Sequence, residues 1–275
     1  MIQRLLNPIR GLLASSQGGL SLTTKLRNQC QIIIARAHSA TRYPEVNGEA
    51  RWLRAVLDQI QYAVDVGANR GDWTNMVLQG GRAEHLLLIE PSSSAQEKLR
   101  RRFSGNPHVE IVEAAAGSAP GMLPFFEEPD AGETSSLLAG FSQENRKRQV
   151  QVTTVDGEVG KRKWPRVDFL KIDAEGFDFR VLEGCRQLFL DGKVRYGQFE
   201  YNGPWRLAGA TLTFALRWLQ DLGYECFLVL PDGLHQPKTD VYWDYYSYSN
   251  YAIIRQDLVA DIMEAGRLRA TGAVP

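Results

Sequence analysis

Apolar runs and amphipathic stretches alternate along most of this chain, and the alternation predicts its secondary structure. Beyond residue 60, short apolar runs predict buried strands, and apolar residues at helical spacing predict helices between them. The predicted strands lie near residues 62–66, 85–90, 109–114, 167–172, 194–200, 224–230 and 246–255. The predicted helices lie near residues 73–79, 92–103, 178–190 and 209–221. This pattern indicates an α/β fold with a mostly parallel, seven-stranded sheet and helices on both faces.

Two parts of the chain depart from simple alternation. The last two predicted strands are joined by a loop rich in Pro, Gly and Asp without a convincing helix, so they are expected to pair antiparallel. Between residues 118 and 166 the alternation stops. The segments 123–126 and 150–155 are interpreted there as extra strands that flank a polar loop.

The spacing of apolar and polar residues over positions 1–14 predicts an amphipathic helical element. Its apolar positions fall on one helical face and are Ile2, Leu5, Leu6, Ile9, Leu12 and Leu13. Its polar positions fall on the other face and are Gln3, Arg4, Asn7 and Arg10. Asn7-Pro8 is a place where the element can break into two short turns. Packing against the domain or a protein partner is favoured over attachment to a membrane surface, which stays an alternative.

The chain is divided into three regions. Residues 1–60 form an N-terminal helical extension, in which Ser15–Gly19 is a loop and 20–37 and 49–60 are helices. Residues 61–256 form the α/β domain, and residues 257–275 form a C-terminal helix and tail.

Composition excludes several classes of protein. Lys plus Arg and Asp plus Glu both number 32, and three short basic clusters suit solvated surfaces better than a nucleic-acid groove. The three cysteines have no spacing typical of a disulfide framework or a zinc site. No run reaches the roughly 18 apolar residues of a membrane span, and no signal-peptide core is evident. The expected location is the cytoplasm, or the inner face of the membrane if residues 1–14 bind there.

The segment Asp65–Gly71, which follows a predicted strand, has the features of a ligand-binding turn. Gly67 and Gly71 can adopt positive φ and let a ligand approach without a Cβ in the way, and Asn69 tolerates a left-handed conformation. A helix that begins at Asp72 would point its N-terminus into the same pocket. A tight turn without a ligand is the alternative interpretation.

An acidic residue at the end of the next strand favours the ligand site. Glu90 lies about 20 residues beyond the turn, where a Rossmann-like site places a carboxylate against ribose hydroxyls. The pattern D-x-G-x-N-x-G lacks the third glycine of the dinucleotide fingerprint. This disfavours NAD and FAD, although a nicotinamide-dependent oxidoreductase stays an alternative, as does a non-catalytic binding module with the same fold.

Six blocks of the sequence occur in the order in which one enzyme family has them. They are DVGANRGDWT at 65–74, IEP at 89–91, AAAGS at 114–118, TSSL at 134–137, VTTVD at 152–156 and VDFLKIDAEGFDFRVLEG at 167–184. In these blocks the chain resembles the FkbM-type family of class I S-adenosylmethionine-dependent methyltransferases. The resemblance covers about residues 65–185 and is weaker up to about residue 255.

The resemblance implies a Rossmann-like class I methyltransferase fold with S-adenosylmethionine as its cofactor. It also implies methylation of a hydroxyl on a small-molecule or glycan acceptor, such as a sugar of a polysaccharide, a glycolipid or a glycosylated natural product. The residues implied in cofactor binding are Asp65, Gly67, Ala68, Asn69, Gly71, Thr74, Glu90, Pro91, Ala115 and Asp173. One departure is Asp178, where the family usually has Glu, and it leaves the role of that carboxylate open.

Asp173 and Glu175 are the candidate catalytic residues. They follow the predicted strand 167–172, and ligands in open α/β sheets bind at the carboxyl ends of the strands. A carboxylate there can accept the proton that a hydroxyl loses on methylation. Alternatively, Asp173 binds the methionine end of the cofactor and Glu175 caps the next helix. A divalent ion on Asp173, Glu175 and Glu200 is compatible with oxygen ligands but is not required by the spacing.

Two further features are weaker candidates for contact with the acceptor. His235 is predicted to lie in an exposed loop before the last strand, within reach of an acceptor. The tyrosine-rich segment Tyr242–Tyr248, with Tyr201 and Trp205, could stack against a sugar ring or could equally be structural.

Overall fold

A computed structural model describes residues 2–38, 41, 43–128, 130, 132, 135–140, 146–237, 244–264 and 270–271. The strands are β1 (Tyr62–Val66), β2 (His85–Ile89), β3 (Val109–Val112), β4 (Ala115–Ala116), β5 (Gly121–Glu127), β6 (Arg146–Thr153), β7 (Val167–Ile172), β8 (Val194–Tyr201), β9 (Tyr224–Leu230), β10 (Gly233–His235), β11 (Ser249–Arg255) and β12 (Ala270–Thr271). The helices are α1 (Ile2–Ala14), α2 (Gln17–Ala37), α3 (Pro44–Asn47), α4 (Glu49–Val56), α5 (Asp72–Gln79), α6 (Ser93–Arg102), α7 (Val155–Lys161), α8 (Asp178–Glu183), α9 (Arg186–Leu190), α10 (Leu212–Asp221) and α11 (Val259–Glu264).

A single large sheet forms the centre of the fold. Its strand order is β12-β10-β9-β11-β8-β7-β1-β2-β3, and the pairs from β8 to β3 are parallel. Strand β11 lies between β8 and β9 and pairs antiparallel with both, which confirms the predicted antiparallel ending. The predicted α/β class is therefore confirmed. Within the described residues the sheet has nine strands rather than seven, because β10 and β12 are too short to produce a recognisable apolar run.

A second sheet has three strands in the order β4-β6-β5. Two of them, β5 and β6, belong to residues 118–166, where the predicted alternation stops. They are the two extra strands, but both are longer than predicted. Strand β6 begins at Arg146 and ends at Thr153, and its first residues are charged, which hid them from a hydrophobicity pattern. Thr154 then caps α7 by accepting a hydrogen bond from the amide of Gly157.

The predicted helix 178–190 is two helices, α8 and α9, separated at Gly184. A Cβ on Gly184 would lie 2.0 Å from the carbonyl oxygen of Gly117, so the chain must pass close to that backbone here. The predicted helix 209–221 begins later, at Leu212, because Thr211 caps it.

The N-terminal helices differ from the prediction in two details. Helix α1 continues through Pro8 instead of breaking there. Helix α2 begins at Gln17, after a cap by Ser16, so the loop expected over residues 15–19 is limited to two residues. A serine cap can start a helix within a glycine-rich stretch that propensity alone would assign to a loop.

Helix α4 is part of the packing of the large sheet. Trp52 is completely buried and donates its indole N–H to the carbonyl of Gly197 in β8 at 3.2 Å. Val56 and Ile60 are also fully buried in the same apolar cluster as Phe169 of β7. The boundary at residue 60 stays a prediction, while residues 49–60 contribute directly to one face of the core. None of the described helices combines the length and the apolar character that a bilayer crossing needs.

Candidate active site

The carboxyl ends of β1, β2, β7 and β8 meet around a cavity of about 570 Å³. Parallel strands place these ends at one edge of the sheet, which is the usual ligand position in an open α/β fold. Of the predicted site residues, those that line the cavity are Gly67, Ala68, Asn69, Glu90, Pro91, Ala115, Asp173 and Glu175. Asp65, Gly71 and Thr74 are not among the lining residues.

The turn after β1 has the predicted backbone conformation. Gly67, Asn69 and Gly71 have φ values of 73°, 45° and 77°. A Cβ on Gly67 would lie 1.8 Å from the carbonyl oxygen of Asp173, and one on Gly71 would lie 2.4 Å from the ring of Phe103. A Cβ on either glycine would therefore meet the protein itself, and the approach of a ligand to the turn stays a prediction. Both glycines allow the turn to pack against the end of β7 and against Phe103.

Glu90 is held in place by the turn that it faces. Its Oε2 accepts a hydrogen bond from the amide of Asn69 at 2.8 Å, and its Oε1 accepts one from the amide of Ser92 at 2.7 Å. Burial raises the pKa of Glu90 to about 7, against the lowering effect of these two amides. Each carboxylate oxygen keeps a lone pair for a further donor. The side chain is therefore oriented and can accept hydrogen bonds from a bound ligand.

Asp65 and Thr74 lie beneath the cavity wall. Both are buried, and the Thr74 hydroxyl donates to Asp65 Oδ2 at 2.7 Å. Lys171 Nζ lies 3.7 Å from Asp65 Oδ1 and 3.0 Å from Asp173 Oδ2. These carboxylates raise the pKa of Lys171 in spite of its burial. Asp65 therefore supports the lysine that holds Asp173, one layer away from the cavity.

A tight turn carries Glu175. Glu175 and Gly176 both have positive φ, at 49° and 92°. The carboxylate of Asp178 spans this turn, because its two oxygens accept hydrogen bonds from the amides of Ala174 at 3.1 Å and Gly176 at 3.0 Å. Burial raises the pKa of Asp178 to about 7. Asp178, where the family usually has Glu, thus fixes the backbone of the turn that positions Glu175.

Two more carboxylates, Glu49 and Glu200, line the cavity together with Asn202 and Tyr248, and we call the part lined by these four residues its far end. Glu49 accepts hydrogen bonds from the side-chain amides of Gln198 at 2.6 Å and Asn250 at 2.9 Å. Glu200 accepts one from the Asn202 amide at 2.6 Å. Burial raises the pKa of both carboxyls, and Asp173, Glu175 and Asp178 raise that of Glu200 further. Burial and the three neighbouring carboxylates thus act on the pKa of Glu200 in the same, upward direction.

A family model described as a methyltransferase FkbM domain matches residues 65–226 of the chain. The chain belongs to the FkbM methyltransferase family. The match extends past residue 185, where the resemblance becomes weaker, and reaches into β9. Membership confirms the predicted class of S-adenosylmethionine-dependent methyltransferases and disfavours the oxidoreductase alternative. No curated protein matches the sequence.

Several solved structures are similar to this family member at low sequence identity. A methyltransferase FkbM from Methylobacillus flagellatus KT has 16% identity and a TM-score of 0.45, over 70% of this chain and 43% of that one. An rRNA methylase from Streptococcus thermophilus has 12% identity and a TM-score of 0.43, over 78% and 99%. Spermidine synthase from Thermotoga maritima has 13% identity and a TM-score of 0.42, over 76% and 60%. The chain described here thus spans less than half of the length of the Methylobacillus protein.

The lining of the cavity fits the cofactor of the FkbM family. Glu90 offers an oriented carboxylate to a ribose diol, and Asn69 Oδ1 is buried without a hydrogen-bond partner among the described residues. A cofactor with hydroxyl and amino donors would supply the missing partner. Pro91 and Ala115 add apolar surface to the same wall.

Among the weaker candidates for contact with the acceptor, Tyr248 lines the cavity, whereas His235, Tyr201 and Trp205 do not. His235 is buried in β10 and lies 2.8 Å from Asp232, so its assignment to an exposed loop was wrong. Tyr201 and Trp205 are completely buried in the core, whereas Tyr248 lines the cavity. Tyr242 and Trp243 lie outside the described residues. No three His, Cys, Asp or Glu side chains converge as metal ligands in the described part, so an ion on Asp173, Glu175 and Glu200 gains no support.

Sequence reasoning missed the contribution of three lining residues, Lys171, Asn202 and Glu49, whereas Tyr248 belongs to the predicted tyrosine-rich segment. Lys171 left a signal, because a lysine inside the fully buried run of β7 requires a charged partner. No sequence pattern indicates a role for Glu49, because its partners Gln198 and Asn250 are distant in the sequence.

Proposed function

We propose that this protein binds S-adenosylmethionine in the cavity and transfers the methyl group to a hydroxyl of a sugar. The acceptor would be part of a polysaccharide, a glycolipid or a glycosylated natural product. The observation that carries the proposal is that Glu90, Asp173 and Glu175 line a single cavity. A cofactor anchored at Glu90 would place its reactive end beside the two catalytic candidates.

Cofactor binding is assigned to the turn after β1 and to the end of β2. Glu90 accepts hydrogen bonds from the ribose hydroxyls, since both of its oxygens are oriented by backbone amides. Asp173 lies 3.0 Å from the ammonium group of Lys171 and is assigned to the amino group of the methionine end. When bound, S-adenosylmethionine supplies an electrophilic methyl group on a positively charged sulfur.

Glu175 is assigned as the group that receives the acceptor proton. Bound S-adenosylmethionine would supply the methyl group for the acceptor hydroxyl, and the Glu175 carboxylate would accept the proton that this hydroxyl loses. Asp178 holds the turn that carries Glu175, and Ser136 donates its hydroxyl to the Glu175 carbonyl at 2.9 Å. Positioning by such a fixed turn is a large part of the acceleration expected for methyl transfer.

The far end of the cavity supports a sugar acceptor. Glu49, Glu200, Asn202 and Tyr248 all line it. Asn202 Oδ1 is buried and has no partner among the described residues, so it can accept a hydrogen bond from an acceptor hydroxyl. Several polar groups at fixed positions distinguish hydroxyl-rich ligands more strongly than an apolar wall does. The proposal requires no nucleic acid and no metal ion, and a cytoplasmic location stays a prediction.

An acceptor screen with methyl-labelled S-adenosylmethionine tests the proposal. The full chain is incubated with glycosides, glycolipids, phenols and RNA, and the labelled product is identified by mass spectrometry. We expect label in a sugar methyl ether, and we expect Asn202→Asp and Glu49→Gln to raise the acceptor KM while leaving cofactor affinity unchanged. Label that appears in RNA or only in phenols would contradict the assignment of the acceptor.

A further inference from the structure

Positive charge is concentrated at the N-terminus of the chain. Residues 1–38 contain no Asp or Glu, and their basic residues are Arg4, Arg10, Lys25, Arg27 and Arg36. Because the whole chain has 32 residues of each sign, the remainder carries a matching excess of carboxylates. The first two helices are therefore a cationic segment on a protein without net charge.

The same two helices expose apolar side chains. We refer to residues 2–37, which comprise α1 and α2, as the N-terminal hairpin. Its helices come close at Gly19, where a Cβ would lie 2.2 Å from the Leu13 carbonyl oxygen. Helix α2 has no buried residue. The exposed apolar side chains are Leu6, Ile9, Leu12, Leu20, Leu22, Leu26, Ile32 and Ile33.

The hairpin ends beside the far end of the cavity. His38, directly after α2, is buried, and its ring lies 4.5 Å from that of Tyr245. Pro44 and Tyr248 both line the cavity. Tyr43, next to Pro44, is 59% exposed. A surface that binds the hairpin would therefore lie near the end of the cavity assigned to the acceptor.

We propose that the N-terminal hairpin binds an anionic membrane surface. Exposed apolar side chains, together with basic residues and without carboxylates, are what anionic lipid attracts, through apolar burial and through charge. A second copy that packs hairpin against hairpin is a poorer occupant, because it would bring two cationic segments together. Within the described part of the same chain, no residue of α2 is buried. The inference is independent of the proposed function, since lipid binding requires neither cofactor nor acceptor.

Vesicle flotation of the full chain tests the proposal. We expect binding to vesicles that contain phosphatidylglycerol and little binding to vesicles of phosphatidylcholine alone. Binding should weaken as salt rises, because screening shortens the range of charge attraction. Each basic residue near an anionic surface contributes about a fivefold gain in binding, so Lys25→Glu with Arg27→Glu should lower affinity by at least about 25-fold. Leu22→Ser with Leu26→Ser should lower affinity for the same vesicles.

The matched control is Arg101→Glu with Arg186→Glu, which makes the same charge change at two exposed positions outside the hairpin. It should leave vesicle binding nearly unchanged. Thermal unfolding and S-adenosylmethionine titration of each variant verify that it is folded. Absence of binding, equal binding to both kinds of vesicle, or equal effects of the two charge pairs would overturn the proposal. So would a stable dimer in sedimentation that Leu22→Ser with Leu26→Ser dissociates.

Discussion

The amide of Asn69 donates a hydrogen bond to the carboxylate of Glu90 at 2.8 Å, which joins the turn after β1 to the end of β2. Two motifs about 20 residues apart in the sequence thus form one preorganised element. The carboxylate is oriented before a ligand arrives, so binding does not have to order it.

Loss of the Glu90 carboxylate should weaken cofactor binding. Glu90→Ala removes charge-assisted hydrogen bonds worth roughly 1.5–3 kcal/mol, or about ten- to a hundredfold in affinity for S-adenosylmethionine. Glu90→Gln should fall between the wild type and the alanine variant, because its amide keeps one oxygen acceptor. Glu97→Ala, at an exposed position of α6, is the control and should bind normally. Unchanged affinity in Glu90→Ala, measured by calorimetry, would remove this residue from the cofactor site.

Cofactor binding should depend on pH through Glu90. Burial raises its pKa to about 7, so part of the protein is protonated there at neutral pH. The ionised carboxylate is the better acceptor for ribose hydroxyls, and affinity should rise with pH until about one unit above 7 and then level off. Calorimetry in buffers of different ionisation enthalpy should show proton release on binding near pH 7. The Glu90→Gln variant should show a much flatter profile, and equal profiles for both proteins would contradict this assignment.

The same raised pKa makes the ligand-free protein less stable as pH rises, whereas it makes cofactor affinity increase. The folded state holds the Glu90 proton more tightly than the unfolded chain, whose pKa is 4.5. The resulting stability is complete below that value and is lost as pH rises through about 7. Asp178, with a pKa also raised to about 7, acts in the same direction.

Asp178 should matter more for stability than its place outside the cavity lining suggests. Asp178→Ala leaves the part-buried amide of Ala174 and the buried amide of Gly176 without their acceptors, and the loss at the buried amide costs about 1–3 kcal/mol. Asp178→Asn keeps one oxygen acceptor and should lie between the alanine variant and the wild type in denaturant unfolding. Asp191→Ala, at an exposed position, is the control. Wild-type stability in Asp178→Ala would show that the turn does not depend on this side chain.

Substitutions of Asp173 and of Glu175 should have different effects on kcat and on cofactor affinity. If Glu175 receives the proton, Glu175→Gln should lower kcat about 10²–10⁴-fold with little change in cofactor affinity. Asp173→Asn should weaken S-adenosylmethionine binding as well, because Asp173 is assigned to its amino group. Glu84→Gln, on the exposed surface, is the control for both. Wild-type kcat in Glu175→Gln at saturating acceptor would exclude proton transfer to this residue.

The sequence predicts the parts of the site that depend on local pattern. The turn at 65–71, Glu90, and the Asp173–Gly176 segment each follow a recognisable strand, and parallel pairing brings their ends together. Glu49 could not be found in this way, because its contacts to Gln198 and Asn250 depend on the whole fold. Pattern also could not show which side of a strand end a residue occupies.

Asp65 and Gly71 illustrate this last limit. Both belong to the 65–74 motif that resembles the FkbM family. However, Asp65 accepts a hydrogen bond from Thr74 beneath the cavity, and Gly71 packs against Phe103. A substitution such as Gly67→Val should accordingly disrupt folding of the turn against Asp173, rather than only block a ligand. A motif identifies where a site lies, whereas the packing of its residues determines which of them can touch a ligand.

The central claim, that the cavity is a site for S-adenosylmethionine, is tested most directly by titration of the full chain with three ligands in a calorimeter. S-adenosylmethionine and S-adenosylhomocysteine should each bind at one site per chain, and NAD should show no saturable binding. Saturable binding of NAD, together with no heat from either S-adenosyl compound, would contradict the account.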